Sequence, residues 1–265
     1  MKTLFSSFMK VAGMLVIASM LGTACTAVNP EELDPEEENN NNESNEDNPK
    51  LSEYEYPIPE AIDLGLSVKW ADINLFSSEP FSIGGHVSWG EMYGNGFYDW
   101  SHYKLCKRSK YALTRYNSDK DYGKVDNKTD FKDYNYKDDA ARAYLGGKWR
   151  IPTNDEWTEL EENCNWKWEY KYIKDPANPN KNLKLGGYRI TGKKEGYTDA
   201  SIFLPATGYF NEKGENDFRG SIGAYWSSTA GSCATAMSAH FYGLEKAKRQ
   251  YSSRCQGLSI RPVTD

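Results

Sequence analysis

No apolar run in this chain is long enough to cross a bilayer as a helix. The longest, Val11–Leu21, falls well short of the ~20 residues a membrane-spanning helix needs, so no transmembrane helix is expected. Excess charge of one sign is missing too, once the chain is divided. The whole sequence carries 32 Lys+Arg against 38 Asp+Glu, but Lys2 and Lys10 lie near its start and nine of the acids lie between Asn29 and Pro49. Residues 50–265 therefore hold 30 basic against 29 acidic residues, a net of +1. A near-neutral body gives no electrostatic case for nucleic acid or for an anionic membrane surface as partner. Histidine is scarce, and His86, His102 and His240 show no H-x-H or H-E-x-x-H spacing, nor is there a C-x-x-C, so ligand spacing points to no metal. Asn117, Asp119 and Asp121 open like a calcium loop with alternating oxygen ligands. Gly123 then falls at the seventh position instead of the sixth, and Lys128 stands where the bidentate Glu belongs, so a solvated loop is expected. No G-x-S-x-G surrounds Ser227 or Ser228, which removes the nucleophile elbow. The sequence thus nominates no catalytic residue, no metal and no cofactor.

What the sequence does contain begins with a leader. Lys2 and Lys10, the run Val11–Leu21 and the small residues Gly22, Thr23 and Ala24 have the layout of a secretory signal peptide over residues 1–24. Cys25 follows directly, and Leu-Gly-Thr-Ala-Cys resembles the lipobox of bacterial lipoproteins, which implies lipidation of Cys25 and a membrane partner held through that lipid. The pattern departs from the lipobox in placing Leu21 four residues before the cysteine, with Gly22 where the leucine belongs. Gly22 and Ala24 also satisfy the small-x-small rule of ordinary signal cleavage. Residues 25–55 are rich in Asn and acids, with no Lys or Arg between Asn29 and Pro49. Such a segment buries too little apolar surface to offset its ordering entropy, and it reads as a disordered tether.

About 210 residues, 56–265, remain, enough for one sizeable core. Leu64, Leu66, Val68 and Trp70 alternate within Ala61–Asp72, the period of a half-buried strand. Asp138–Leu145 has acids where a helix begins and Gly146 and Gly147 where one ends, predicting a short helix. A second is better marked. Thr153 and Glu156 form an S/T-x-x-E capping box, and Trp157, Leu160 and Cys164 follow on one face, with Glu159, Glu161 and Glu162 turned mostly outward. After a Pro/Asn/Lys-rich loop over Asp175–Lys184, short strands are expected over Gly187–Thr191, Ser201–Leu204, Ala206–Tyr209, Ala224–Ser228, Ala234–Tyr242 and Tyr251–Val263. If the last two pair as a hairpin turning near Leu244, opposed residues have numbers summing to about 488. Cys233 and Cys255 meet that sum, and cross-strand neighbours can reach disulfide spacing. Cys106 and Cys164 are then the second pair by elimination, among the three connectivities that four exported cysteines allow.

These motifs, in this order, resemble a known family. Ala61–Asp72 (AIDLGLSVKWAD), Trp89–Glu91 (WGE), Asp138–Thr153 (DDAARAYLGGKWRIPT), Glu156–Leu160 (EWTEL), Ile202–Gly208 (IFLPATG), Tyr225–Thr229 (YWSST) and Gly257–Val263 (GLSIRPV) are similar to the Fibrobacter succinogenes major paralogous domain, abundant in exported lipoproteins of Bacteroides and its relatives. The resemblance implies an α+β, C-type-lectin-like fold: two helices flanking small antiparallel sheets, with the N- and C-terminal strands paired. It also implies that Trp70, Trp149, Trp157 and Trp226 are core residues and that Ser227 and Ser228 belong to a core strand and turn. Trp149–Trp157 (WRIPTNDEW) further resembles formylglycine-generating sulfatase-modifying factors, which hold copper on a cysteine pair. Cys233 and Cys255 match that pair by count, but their surroundings do not look like the factors' active-site segment. The calcium-dependent sugar motifs of animal C-type lectins are absent; Glu79, Pro80 and Phe81 come nearest.

One feature lies outside these motifs. Trp166, Trp168, Tyr170 and Tyr172 alternate after the second helix, giving one wholly aromatic face. It is either the buried face of a strand, the reading we favour from sequence, or an exposed ridge for a glycan or protein ligand, since Tyr and Trp offer rigid contact area at low entropy cost. The expected protein is a non-catalytic ligand-binding or adhesion module, lipid-anchored at the outer membrane or cell surface. A sulfatase-modifying oxidoreductase and a structural envelope component are the alternatives.

Overall fold

The computed structural model describes residues 56–175, 178–243 and 245–265. The leader, Cys25 and the acidic segment fall outside these residues, as does Leu244.

Ala61–Asp72 does not form the single strand its alternation suggests. Gly65 interrupts it at φ +77°, with the Tyr197 ring 2.8 Å from where a Cβ would stand, a close approach and a backbone angle that only glycine accommodates readily. Two short strands result, β1 (Ala61–Ile62) and β2 (Lys69–Ala71), paired antiparallel. The second also pairs with β11 (Val263–Thr264), Trp70 lying opposite Val263. The two ends of the described body are thereby joined, as expected.

Helix α1 (Ala140–Leu145) starts where Asp139 accepts a hydrogen bond from the Arg142 N–H. Helix α2 (Asn154–Asn163) carries the full reciprocal capping box between Thr153 and Glu156 and buries Trp157 and Leu160. Glu162 is exposed, but Glu159 accepts from Ser67 and Glu161 pairs with Arg249, so two of the three acids anchor the helix instead of facing open solvent.

From α2 the chain passes directly into β3 (Cys164–Asp175), which forms a long hairpin with β4 (Asn178–Gly192). The loop expected over 175–184 is thus mostly strand. Its Pro, Asn and Lys residues lack an apolar alternation because this part of the hairpin is largely exposed. Strand β5 (Ser201–Pro205) completes the sheet β3-β4-β5. A small hairpin of β6 (Tyr209–Phe210) and β7 (Asn216–Asp217) follows, then the sheet of β8 (Ile222–Ala230), β9 (Thr235–Tyr242) and β10 (Glu245–Ser253), ordered β10-β9-β8. All strand pairs within the sheets are antiparallel, and with two short helices the architecture is α+β.

Strands β8 and β9 are buried on both faces of their sheet. Ala224, Trp226 and Ala236 belong to one apolar cluster, with Trp89, Leu113 and Phe131. Tyr225, Ala239 and Phe241 belong to the other, with Trp70, Trp157 and Leu160. Trp70, Trp89, Trp157 and Trp226 are fully buried, and each removes about 4–6 kcal/mol worth of apolar surface from water. Trp149 is buried as well. Three of the indoles donate to backbone carbonyls, Trp89 to Ser227 at 2.8 Å, Trp157 to Trp226 at 3.2 Å and Trp226 to Val87 at 2.7 Å, so their polar atoms are satisfied where they pack.

Candidate functional site

Alternation along β3 puts Trp166, Trp168, Tyr170 and Tyr172 on one face, and the structure divides that face in two. The inner half is packed. Trp166 and Trp168 stand edge-on to Tyr188, at 5.2 and 5.1 Å between centroids, and the Trp166 indole donates to the Leu160 carbonyl at 3.2 Å. Glycines make room for Trp168: a Cβ on Gly186 would lie 2.2 Å from its ring and one on Gly243 3.2 Å away. The outer half is open, with Tyr170 53% and Tyr172 75% exposed. The Lys184 ammonium sits 3.9 Å over the Tyr170 ring, a cation–π contact that restrains the ring. The stripe is thus packed over its inner half and exposed over its outer half.

The opposite face of β3 is charged. Glu169 lies 3.2 Å from Arg189, 3.8 Å from Lys171 and 3.7 Å from Lys167. Beside the hairpin, the turn at 218–220 docks through Gly186 N–H to the Gly220 carbonyl at 2.9 Å and through Arg219 to Asp175 at 3.2 Å. That turn carries Phe218, 57% exposed and 6.1 Å from the Tyr209 ring, an exposed aromatic that sequence reasoning missed because it stands alone among polar residues.

The cysteines do not pair as expected. Cys106, Cys164 and Cys255 are free thiols, so neither Cys233–Cys255 nor Cys106–Cys164 is formed. The hairpin register itself is as read: His240 opposes Lys248 and Thr235 opposes Ser253. The ladder stops there. Cys233 and Ala234 turn away at φ 51° and 63°, while Cys255 enters the core, its carbonyl accepting from Ser88 at 3.0 Å. Cys106 packs against the first apolar cluster and Cys164 lies in the second, on opposite sides of the central sheet. Burial pushes the Cys255 thiol up to about 12, which disfavours the thiolate that a copper ligand needs.

The remaining constellations serve the fold. Asp119 caps a short 3-10 turn, and the Asn117 carboxamide donates to the carbonyls of Asp119 at 2.7 Å and Lys124 at 3.3 Å. Among the described residues no three or more His, Cys, Asp or Glu are grouped to hold a metal. Ser227 and Ser228 are buried; the Ser228 hydroxyl donates to Asp130 at 2.7 Å. Asp99, Ser101 and His102 meet on one turn, an arrangement the sequence reading did not single out. Asp99 and Ser101 both contact Nδ1 of His102, at 2.9 and 3.0 Å, so the imidazole has no second nitrogen between them to relay a proton. His240 Nε2 is 3.2 Å from the Ser252 hydroxyl, but burial lowers the His240 pKa to about 4, too low for an effective general base at neutral pH.

Residues 161–263 match the family described as "Domain of unknown function (DUF8237)". No curated protein and no solved structure matches the chain. The matched span runs from the last turn of α2 into β11 and includes the whole aromatic ridge.

Proposed function

We propose that this protein is a lipid-anchored surface module that binds a glycan or protein ligand without catalysis, its body a C-type-lectin-like domain of the Fibrobacter major paralogous type. One observation carries the binding role. The inner half of the β3 stripe is held by packing against Tyr188, while its outer half presents Tyr170 and Tyr172 to solvent. Exposed tyrosines on a paired strand suit contact, because each has only two side-chain torsions to fix on binding and the Tyr170 ring is already restrained by Lys184. Pairing of β2 with β11, and two short helices ahead of a strand-rich half, support the fold assignment. The leader and Cys25 in the sequence support export and anchoring.

Two experiments test this reading. The purified full chain is applied to a glycan array and to a panel of surface and extracellular proteins; Tyr170→Ala with Tyr172→Ala is expected to weaken binding at least ~10-fold, as loss of aromatic anchors does, with the unfolding midpoint unchanged. Absence of binding to both sets, or binding indifferent to the two tyrosines, counts against the module. Mass spectrometry of protein from membranes is expected to find a lipid on Cys25, and an unmodified N-terminus after Ala24 removes the anchor.

A further inference from the structure

Strand β3 is the outer strand of its sheet, and among the described residues its free edge pairs with no other strand. It is 12 residues long, well beyond the short edges that sheets usually leave open. Such an edge presents a row of unpaired N–H and C=O groups that invites another strand. Lysines are the usual defence, and Lys167, Lys171 and Lys174 lie along it. Their spacing blocks some pairings and leaves others open, so the question is which partner strand the edge accepts.

We infer that β3 pairs edge to edge with β3 of a second copy of this chain, antiparallel and centred on Tyr170. A two-fold axis perpendicular to the sheet keeps each face on its own side, so opposed residues must have numbers with an even sum. Centring on Glu169 sets Lys167 against Lys171 of the other copy and Glu169 against itself. Centring on Lys171 or Tyr172 likewise produces like-charge pairs. Centring on Tyr170 instead sets Glu169 against Lys171 of the second copy, twice by symmetry, and Lys167 against Ile173, with no like charges opposed. On the other face it sets Tyr170 against Tyr170 and Trp168 against Tyr172, twice. Centring on Trp168 is also free of charge conflict, but it shortens the overlap and places the axis over the packed half of the stripe, whereas Tyr170 and Tyr172 are 53% and 75% exposed.

The resulting sheet has six strands and covers both open edges. Its two ridges merge into one continuous aromatic row across the dimer axis, with Lys184 of each copy beside it. This inference does not rest on the proposed ligand-binding role: a dimer can form whether or not the row receives a ligand.

The register makes the test specific. Multi-angle light scattering of the purified full chain is expected to find a dimer, and Lys171→Glu, which opposes Glu169 with a second acid, is expected to weaken self-association at least ~10-fold without changing the circular dichroism spectrum. Under mild oxidation Tyr170→Cys is expected to cross-link to itself beyond the level seen in the unsubstituted chain. Tyr172→Cys is not, because its two copies lie about 14 Å apart along the paired strands. A monomer at ~100 μM, or a dimer that Lys171→Glu leaves intact and Tyr170→Cys does not cross-link, overturns the inference, including the case in which the edge instead receives an extended peptide from another protein.

Discussion

Arg261 has no accessible surface and, among the described residues, no ion pair. Its guanidinium is satisfied instead by Asn74 Oδ1 at 2.8 Å and by the carbonyls of Ala71 at 2.9 Å and Phe203 at 2.8 Å, which ties the end of β2 to β5. Arg261→Met keeps the volume but orphans three buried acceptors, and we expect a loss of about 3 kcal/mol or more in urea unfolding; a loss under ~1 kcal/mol would show that the carbonyls find other partners. The sequence contains this arginine in a recognisable motif but gives no sign that it is buried, since arginine is among the residues least often found inside. His86 is the residue to follow with pH. Desolvation lowers its pKa from 6.5 to about 4, and its ring stands edge-on to Phe210 at 5.2 Å. The folded state binds its proton less readily than the unfolded state, so between pH 6.5 and 4 the unfolded chain takes up the proton and stability falls as pH falls. A shift of this size corresponds to about 3 kcal/mol. His86→Phe is expected to flatten the decline in that window, measured as unfolding free energy against pH. His240, lowered by burial to about the same value, adds a decline of the same sign in the same window, which His86→Phe leaves in place. Asp139 opposes both: burial raises its carboxyl to about 6, so its contribution falls as pH rises from about 4 to 6.

The β3–β4 hairpin depends on a glycine whose role is steric. A Cβ on Gly186 would stand 2.2 Å from the Trp168 ring and 2.9 Å from the Gly220 carbonyl, leaving no side on which it could relax. Gly186→Ala is therefore expected to destabilise the fold by about 1–3 kcal/mol through overpacking and to displace Trp168, read as a shift in tryptophan fluorescence; an unchanged spectrum with unchanged stability would mean that the indole does not occupy this position. Elements differ in how legible they were for definite reasons. The start of α2 was readable because capping is a local contract between Thr153 and Glu156, four positions of chain, and the β9–β10 register was readable because a hairpin fixes its own pairing. The outer hairpin was not, since Lys, Asn and Pro exposed on both faces leave no period-two signal. Nor was the fate of the cysteines, because the ladder ends at Thr235 and Ser253 and two left-handed residues beyond it redirect the chain. Periodicity marked the aromatic stripe of β3 correctly as one face, yet it carries no information on where along that face the cover stops. That depends on Tyr188, Phe241 and Gly243, all distant in sequence.

The two apolar clusters share a wall. Within β8, Ala224 and Trp226 face the first and Tyr225 the second, while Ala236 and Ala239 divide β9 in the same way. Moving that sheet to empty one cluster exposes the other, so neither has an independent route to unfolding. The chain ends reinforce this coupling. Strand β2 pairs with β11, and Arg150 exchanges backbone hydrogen bonds with Val263 at 3.0 and 2.9 Å, so the segment leading into α2 is fastened to the C-terminus. Leu113 in the first cluster and Leu160 in the second are both fully buried, and replacing either with Ala is expected to cost about 2–5 kcal/mol. The informative measurement is where that cost appears. With a shared wall, Leu160→Ala speeds amide exchange in the first cluster, at Leu113 and its neighbours, as much as near itself, and fluorescence and circular dichroism report one common midpoint. If Leu160→Ala instead loosens only α2 and the β3–β4–β5 sheet, leaving exchange at Leu113 at its original rate, the clusters are separate cooperative units and the ridge could be melted away while the rest of the body stands.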